Sequence, residues 1–107
     1  MSETWTDVCA TDDIDEEDVI EVRAGELSLA IYRSPQETFH ATDVQCTHGG
    51  ANLVDGLVMG NVIECPKHNG RFDYRTGAPV RVPCLVPLVT YPVRVHGDRV
   101  LVAIPIN

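Results

Sequence analysis

Several features that would assign a role quickly are missing from this chain. No apolar run approaches the roughly 18 residues that a bilayer-spanning helix needs. Residues 1–22 carry no Lys or Arg, so neither a signal peptide, a twin-arginine signal nor a membrane anchor is expected. The expected compartment is the cytoplasm, with no membrane partner. There is no Gly-x-Gly-x-x-Gly run and no phosphate loop, which removes the common ways of cradling a nucleotide. Basic residues are few, 8 against 16 acidic ones, and a formal net charge of −8 disfavours nucleic acid as a partner. No stretch sustains helical spacing of its apolar residues. A length of 107 residues leaves room for one core rather than two, so a single domain over residues 1–107 is expected.

What is present reads as mostly β. Segments rich in Val, Ile, Leu and aromatics alternate with turn residues: Thr4–Ala10, Val19–Arg23, Leu27–Tyr32, Thr38–Asp43, Val62–Glu64, Tyr91–Val95 and Arg99–Ile104. The last two flank His96-Gly97-Asp98, and a Gly there suits the tight turn of a C-terminal hairpin. His96 thus falls at a turn, and His40 in a strand-like run without a cysteine neighbour. Neither is expected to bind a metal.

The chemistry lies in two short motifs, Cys46-Thr47-His48 and Cys65-Pro66-Lys67-His68, separated by sixteen residues. Each joins one soft thiolate to one borderline imidazole. Such a set suits tetrahedral zinc, or a 2Fe-2S cluster in which two histidines replace two cysteines on one iron. Zinc loops usually pair like with like, whereas here each loop carries one Cys and then one His, and this alternation favours the cluster. One iron would take both cysteines and the other both histidines. Gly49, Gly50 and Gly70 beside the motifs fit loops whose backbone approaches a ligand closely.

At Cys46, His48, Cys65 and His68 the chain resembles the Rieske family, in which a Cys-x-His pair is followed after a spacer by Cys-x-x-His. The stretch Cys65 to Asp73, with Thr76-Gly77 and the start Asp18-Val19, is similar to the stand-alone Rieske ferredoxins of multicomponent aromatic-ring-hydroxylating dioxygenases. The resemblance implies an all-β Rieske fold: an antiparallel β-sandwich or barrel-like base carrying an inserted cluster-binding subdomain at about residues 44–78, its own strands few. It implies one 2Fe-2S cluster held by Cys46, His48, Cys65 and His68, with the cysteines on the inner iron and the histidines on the outer. The segment holding Pro79, Pro83 and Pro87 would cover the cluster's other side. No catalytic residue is implied. The chain would be a monomeric electron carrier and not an enzyme, drawing electrons from an NAD(P)H-dependent flavoprotein reductase and delivering them to a terminal oxygenase. Two other readings are the small Rieske-like subunit of an assimilatory nitrite reductase, and a zinc-stabilised interaction module without redox activity.

Departures from the family pattern carry information too. High-potential relatives tie the two loops with a disulfide, but Ala51 and Lys67 stand at those positions. Where they place a serine and a tyrosine near the sulfurs, this chain has Gly70 and Phe72. Fewer hydrogen bonds to sulfur lower the potential, so a midpoint near the bottom of the Rieske range, about −150 mV, is expected. Cys9 and Cys84 are left over and are expected to be buried thiols rather than a disulfide in a reducing compartment. Nine of the sixteen acidic residues lie in the first 21 positions, while Lys67, Arg71, Arg75 and Arg81, half of the basic residues, surround the second motif. A charge dipole that orients the cluster end toward a partner is expected from this distribution.

Overall fold

The computed structural model describes residues 3–67 and 69–105. Within them the chain forms β1 (Glu3–Ala10), β2 (Asp18–Ala24), β3 (Leu27–Arg33), β4 (Phe39–Asp43), β5 (Leu57–Met59), β6 (Val62–Glu64), β7 (Arg71–Asp73), β8 (Pro79–Arg81), β9 (Thr90–Tyr91), β10 (Val93–His96) and β11 (Arg99–Pro105). Two single turns of 3-10 helix, Thr11–Asp13 and Leu53–Asp55, complete the regular structure. Every strand pairing is antiparallel, and three sheets result, ordered β1-β11-β10, β2-β3-β4-β9 and β5-β6-β7-β8. The fold is all-β, as the composition and pattern led one to expect.

β3 explains how three sheets stack. Its consecutive residues Leu29, Ala30, Ile31 and Tyr32 are all buried, and successive side chains of a strand point to opposite faces. Leu29 and Ile31 join Cys9, Ile14, Ala24, Ala41, Val100 and Val102 in a core between the first two sheets. Ala30 and Tyr32 turn the other way, into a second core with Ile63, Phe72, Tyr74, Cys46, Cys65 and Cys84. One strand therefore divides the molecule into a sandwich base and a smaller sheet packed on its outer face. Each fully buried aliphatic side chain along it contributes about 1.5–3 kcal/mol. Tyr32 and Tyr74 stack with centroids 4.5 Å apart. Their hydroxyls are satisfied by Thr42 Oγ1 at 2.8 Å and by the Gly60 carbonyl at 2.6 Å.

The expected strands are present within one or two residues of their bounds, with one division. The run Tyr91–Val95 is split at Pro92, so that β9 pairs with β4 while β10 pairs with β11. Proline has no N–H for a ladder; its carbonyl accepts the Ala103 amide at 3.0 Å, and the chain passes from one sheet to the other at that point. β10 and β11 form the expected hairpin, turning at Gly97 with φ +62°. In the insert only β6 was foreseen. β5 and β7 flank it, and β8 starts just beyond residue 78, giving the insert a four-stranded sheet of its own.

Candidate metal centre

Cys46 follows β4 and Cys65 follows β6, and the two loops are held in the same way. The Cys46 amide donates to the Ala51 carbonyl at 2.7 Å, and the Cys65 amide to the Gly70 carbonyl at 2.8 Å. The Cys46 carbonyl accepts the Gly50 amide, and the Cys65 carbonyl accepts the Asn69 amide, both at 3.2 Å. Each cysteine is thus pinned by the residues four and five positions ahead, although one motif is Cys-x-His and the other Cys-x-x-His. The residue four ahead has positive φ in both loops, +70° at Gly50 and +60° at Asn69. Asn is one of the few residues besides Gly that visits this region readily.

The loops bring the two thiols together beneath the surface. Cys46 is 3% exposed and Cys65 1%, while Thr47, Gly49, Pro66, Lys67 and Asn69 are exposed and His48 is half-buried. The His48 amide donates to Cys46 Sγ at 3.4 Å. Burial pushes the Cys46 thiol up to about 12, against the pull of that amide, and the Cys65 and Cys84 thiols add to the rise. Such a group needs a bound cation to become a thiolate. His68 lies outside the described residues. Among the described residues, no three of His, Cys, Asp or Glu gather as they would around a single ion.

A third segment closes over the first two. Thr47 Oγ1 donates to the Val86 carbonyl at 2.6 Å, and the Leu88 amide donates to the Gly77 carbonyl at 2.9 Å. The proline-bearing stretch therefore covers the motifs, and it buries Cys84 at 3% exposure among the same core residues as Cys46 and Cys65. Cys9 belongs to the other core, so both leftover cysteines are buried free thiols. Nothing in the motif spacing marked Cys84 as a neighbour of the site; the only hint was a third thiol in the segment expected to cover it.

His40 and His96 lie apart from the motifs. His40 Nε2 is 2.8 Å from Thr38 Oγ1, and its ring tilts against Tyr74. His96 is exposed at the hairpin turn. The charge pattern is less polar than the sequence suggested. Arg71 pairs with Glu64 at 2.9 Å across β6 and β7, and Arg75 with Asp73 at 2.8 Å in the turn after β7. Among the described residues Lys67 and Arg81 have no ion pair. On the acidic side, Glu17 accepts the Gly60 amide and Glu21 accepts from Asn52, so two of the N-terminal carboxylates lie against the stretch between the two motifs and the end of the first loop rather than away from them.

Two matched loops with their thiols buried between them, in an all-β molecule, define a small iron–sulfur protein. The chain belongs to the Rieske [2Fe-2S] domain family, which matches residues 4–92, and its cofactor is one Rieske-type 2Fe-2S cluster. It is 42% identical over 101 residues to the ferredoxin component of the naphthalene 1,2-dioxygenase/salicylate 5-hydroxylase systems of a Ralstonia species, covering 94% of this chain and 96% of that one. Such components carry electrons and do not catalyse. The fold matches the ferredoxin chain in the complex of reduced oxygenase and oxidized ferredoxin of carbazole 1,9a-dioxygenase, with a TM-score of 0.86, 44% identity and 92% coverage of each chain. A chain assigned as the small subunit of an NADH-dependent nitrite reductase from Mycobacterium tuberculosis shares the fold alone, with a TM-score of 0.87 at 22% identity and full coverage of both chains. Among the described residues no helix is long and apolar enough to cross a membrane.

Proposed function

We propose that this chain is the one-electron carrier of an aromatic-ring-hydroxylating dioxygenase system. It would take electrons from an NAD(P)H-dependent flavoprotein reductase and pass them to the terminal oxygenase, acting as a monomer in the cytoplasm. The observation that carries the reading is the pair of matched loops with Cys46 and Cys65 buried between them, in a chain that covers its ferredoxin relatives almost completely.

In this reading residues 1–107 form one domain, and its cluster-bearing part is about residues 44–78. Cys46 and Cys65 hold the inner iron, and His48 and His68 the outer. The cluster would supply one-electron uptake and release at a potential within the Rieske range. The chain supplies everything else. Buried cysteines keep water from the inner iron, and exposed loop residues leave the outer side open to a partner. Two neutral imidazoles make the cluster core less negative than four thiolates would, so it accepts an electron more easily than an all-cysteine cluster. Val82, Leu85 and Val86 are 60–74% exposed on the covering segment. That gives the open side an apolar rim suited to brief docking.

The test is pulsed electron paramagnetic resonance of the dithionite-reduced protein, followed by reconstitution with a naphthalene-type reductase and oxygenase. Nitrogen couplings from two imidazoles, together with ferredoxin-dependent product formation, are expected. A zinc-loaded, signal-free protein would overturn the ligand reading. A normal signal with no electron delivery would overturn the partner reading alone.

A further inference from the structure

Cys84 sits where a third sulfur can act on the cluster. Its Sγ fills the space directly above Gly70: a Cβ on that glycine would stand 2.3 Å from Cys84 Sγ and 3.2 Å from both the Cys84 amide nitrogen and Pro83 Cδ. Gly70 is also the residue whose carbonyl closes the second loop onto Cys65. The thiol is therefore seated in a place that exists because residue 70 has no side chain. Its backbone is held as well. The Cys84 amide donates to the Arg81 carbonyl at 3.2 Å, and the ties Thr47 to Val86 and Leu88 to Gly77 fix the segment beyond it. Cys84 packs in one core group with Cys46 and Cys65.

The geometry points to Cys84 as a positioning residue for the redox centre, donating an S–H···S hydrogen bond to a ligand sulfur of the two cysteines it packs with, Cys46 and Cys65, and thereby raising the cluster's midpoint potential. This rests on the ligand reading above. Once Cys46 and Cys65 are thiolates bound to iron neither has a proton, so the only thiol hydrogen left in this group is the one on Cys84. A hydrogen bond to a ligand sulfur is stronger when the cluster carries its extra electron, so it favours the reduced state. The sulfur stands next to Gly70, a position that has no donor side chain of its own. A thiol is a weak donor, which sets the scale at up to about tenfold in the equilibrium constant for reduction, about 59 mV for one electron.

Potentiometric titrations monitored by electron paramagnetic resonance, with iron content determined, test this on the holoprotein and on Cys84→Ala, Cys84→Ser and Gly70→Ala. The alanine variant is expected to have a lower midpoint, and the serine variant, which keeps a donor, to lie near the wild type. Gly70→Ala displaces the thiol without altering it and is expected to lower the midpoint as well. It carries the test if Cys84→Ala does not take up the cluster. An unchanged or higher midpoint in Cys84→Ala or Gly70→Ala, or a serine variant as low as alanine, overturns the inference. Wild-type protein lacking two-imidazole couplings would instead sink the ligand reading, and this inference with it.

Discussion

Gly77 shows how much can depend on one missing side chain. Its φ is +83°, and a Cβ there would lie 2.3 Å from the Leu88 carbonyl oxygen. Its own carbonyl accepts the Leu88 amide, so the covering segment docks at this residue. Gly77→Ala is expected to destabilise the fold by at least about 1–3 kcal/mol through backbone strain alone, which urea unfolding would measure. Asp73 offers a charge test at the same scale. The Arg75 guanidinium beside it holds its carboxyl below the ordinary value of 3.8. The folded chain therefore favours the carboxylate. Its contribution is fully present above that value and is lost as the pH falls through the depressed one. Comparing urea midpoints of wild type and Asp73→Asn at matched pH should show the gap between them closing as the pH is lowered below about 4.

At the scale of elements, the three loops form a unit joined by few bonds. Thr47 Oγ1 to Val86 O is the side-chain tie between the first motif and the covering segment. Thr47→Val removes it at a cost near the lower end of about 0.5–1.5 kcal/mol, because the group is exposed. The same change should hasten loss of the cluster, measured as bleaching of its visible absorbance in the presence of a chelator. The elements also separate what the sequence discloses from what it conceals. β2, β3 and β11 have seven residues each, long enough for a run rich in Val, Ile and Leu to be read, and each motif pairs its Cys and His within one loop, so sequence spacing alone could announce a cluster. β5, β7 and β8 have three residues each, too few for any period. Pro92 looked like part of a strand and proved to be the place where the chain changes sheets. Cys84 reaches the site only through the packing of the third loop, and no local pattern encodes that approach.

Across the whole molecule, the surface beside the centre has an apolar rim at Val82, Leu85 and Val86 and few unpaired cations. Arg71 and Arg75 are already paired, leaving Lys67 and Arg81 as the unpaired cations there among the described residues. Electrostatic steering should accordingly be modest. Lys67→Glu is expected to slow reduction of the oxygenase about severalfold at low ionic strength and to approach wild type at high salt, because exposed charges are screened. Leu85→Asn should raise the apparent KM for the carrier at every ionic strength, because it places an uncharged polar group in the apolar rim. Stopped-flow traces over a salt series distinguish the two, and equal salt slopes for both would contradict this division of the surface. The midpoint potential should not move in either variant.

The twin loops have a consequence for speed. Both cysteines have their amide and their carbonyl already committed to the residues four and five positions ahead. Where Cys46 and Cys65 hold iron, as proposed, the backbone around them would have little freedom to rearrange on a change of charge, and dipoles fixed in advance need not turn to meet it. In that reading the contribution of these loops to the reorganisation energy would be small. A carrier built in this way can exchange electrons quickly in both directions with little driving force, so that the redox levels of its partners, and not a barrier within the carrier, set the direction of flow.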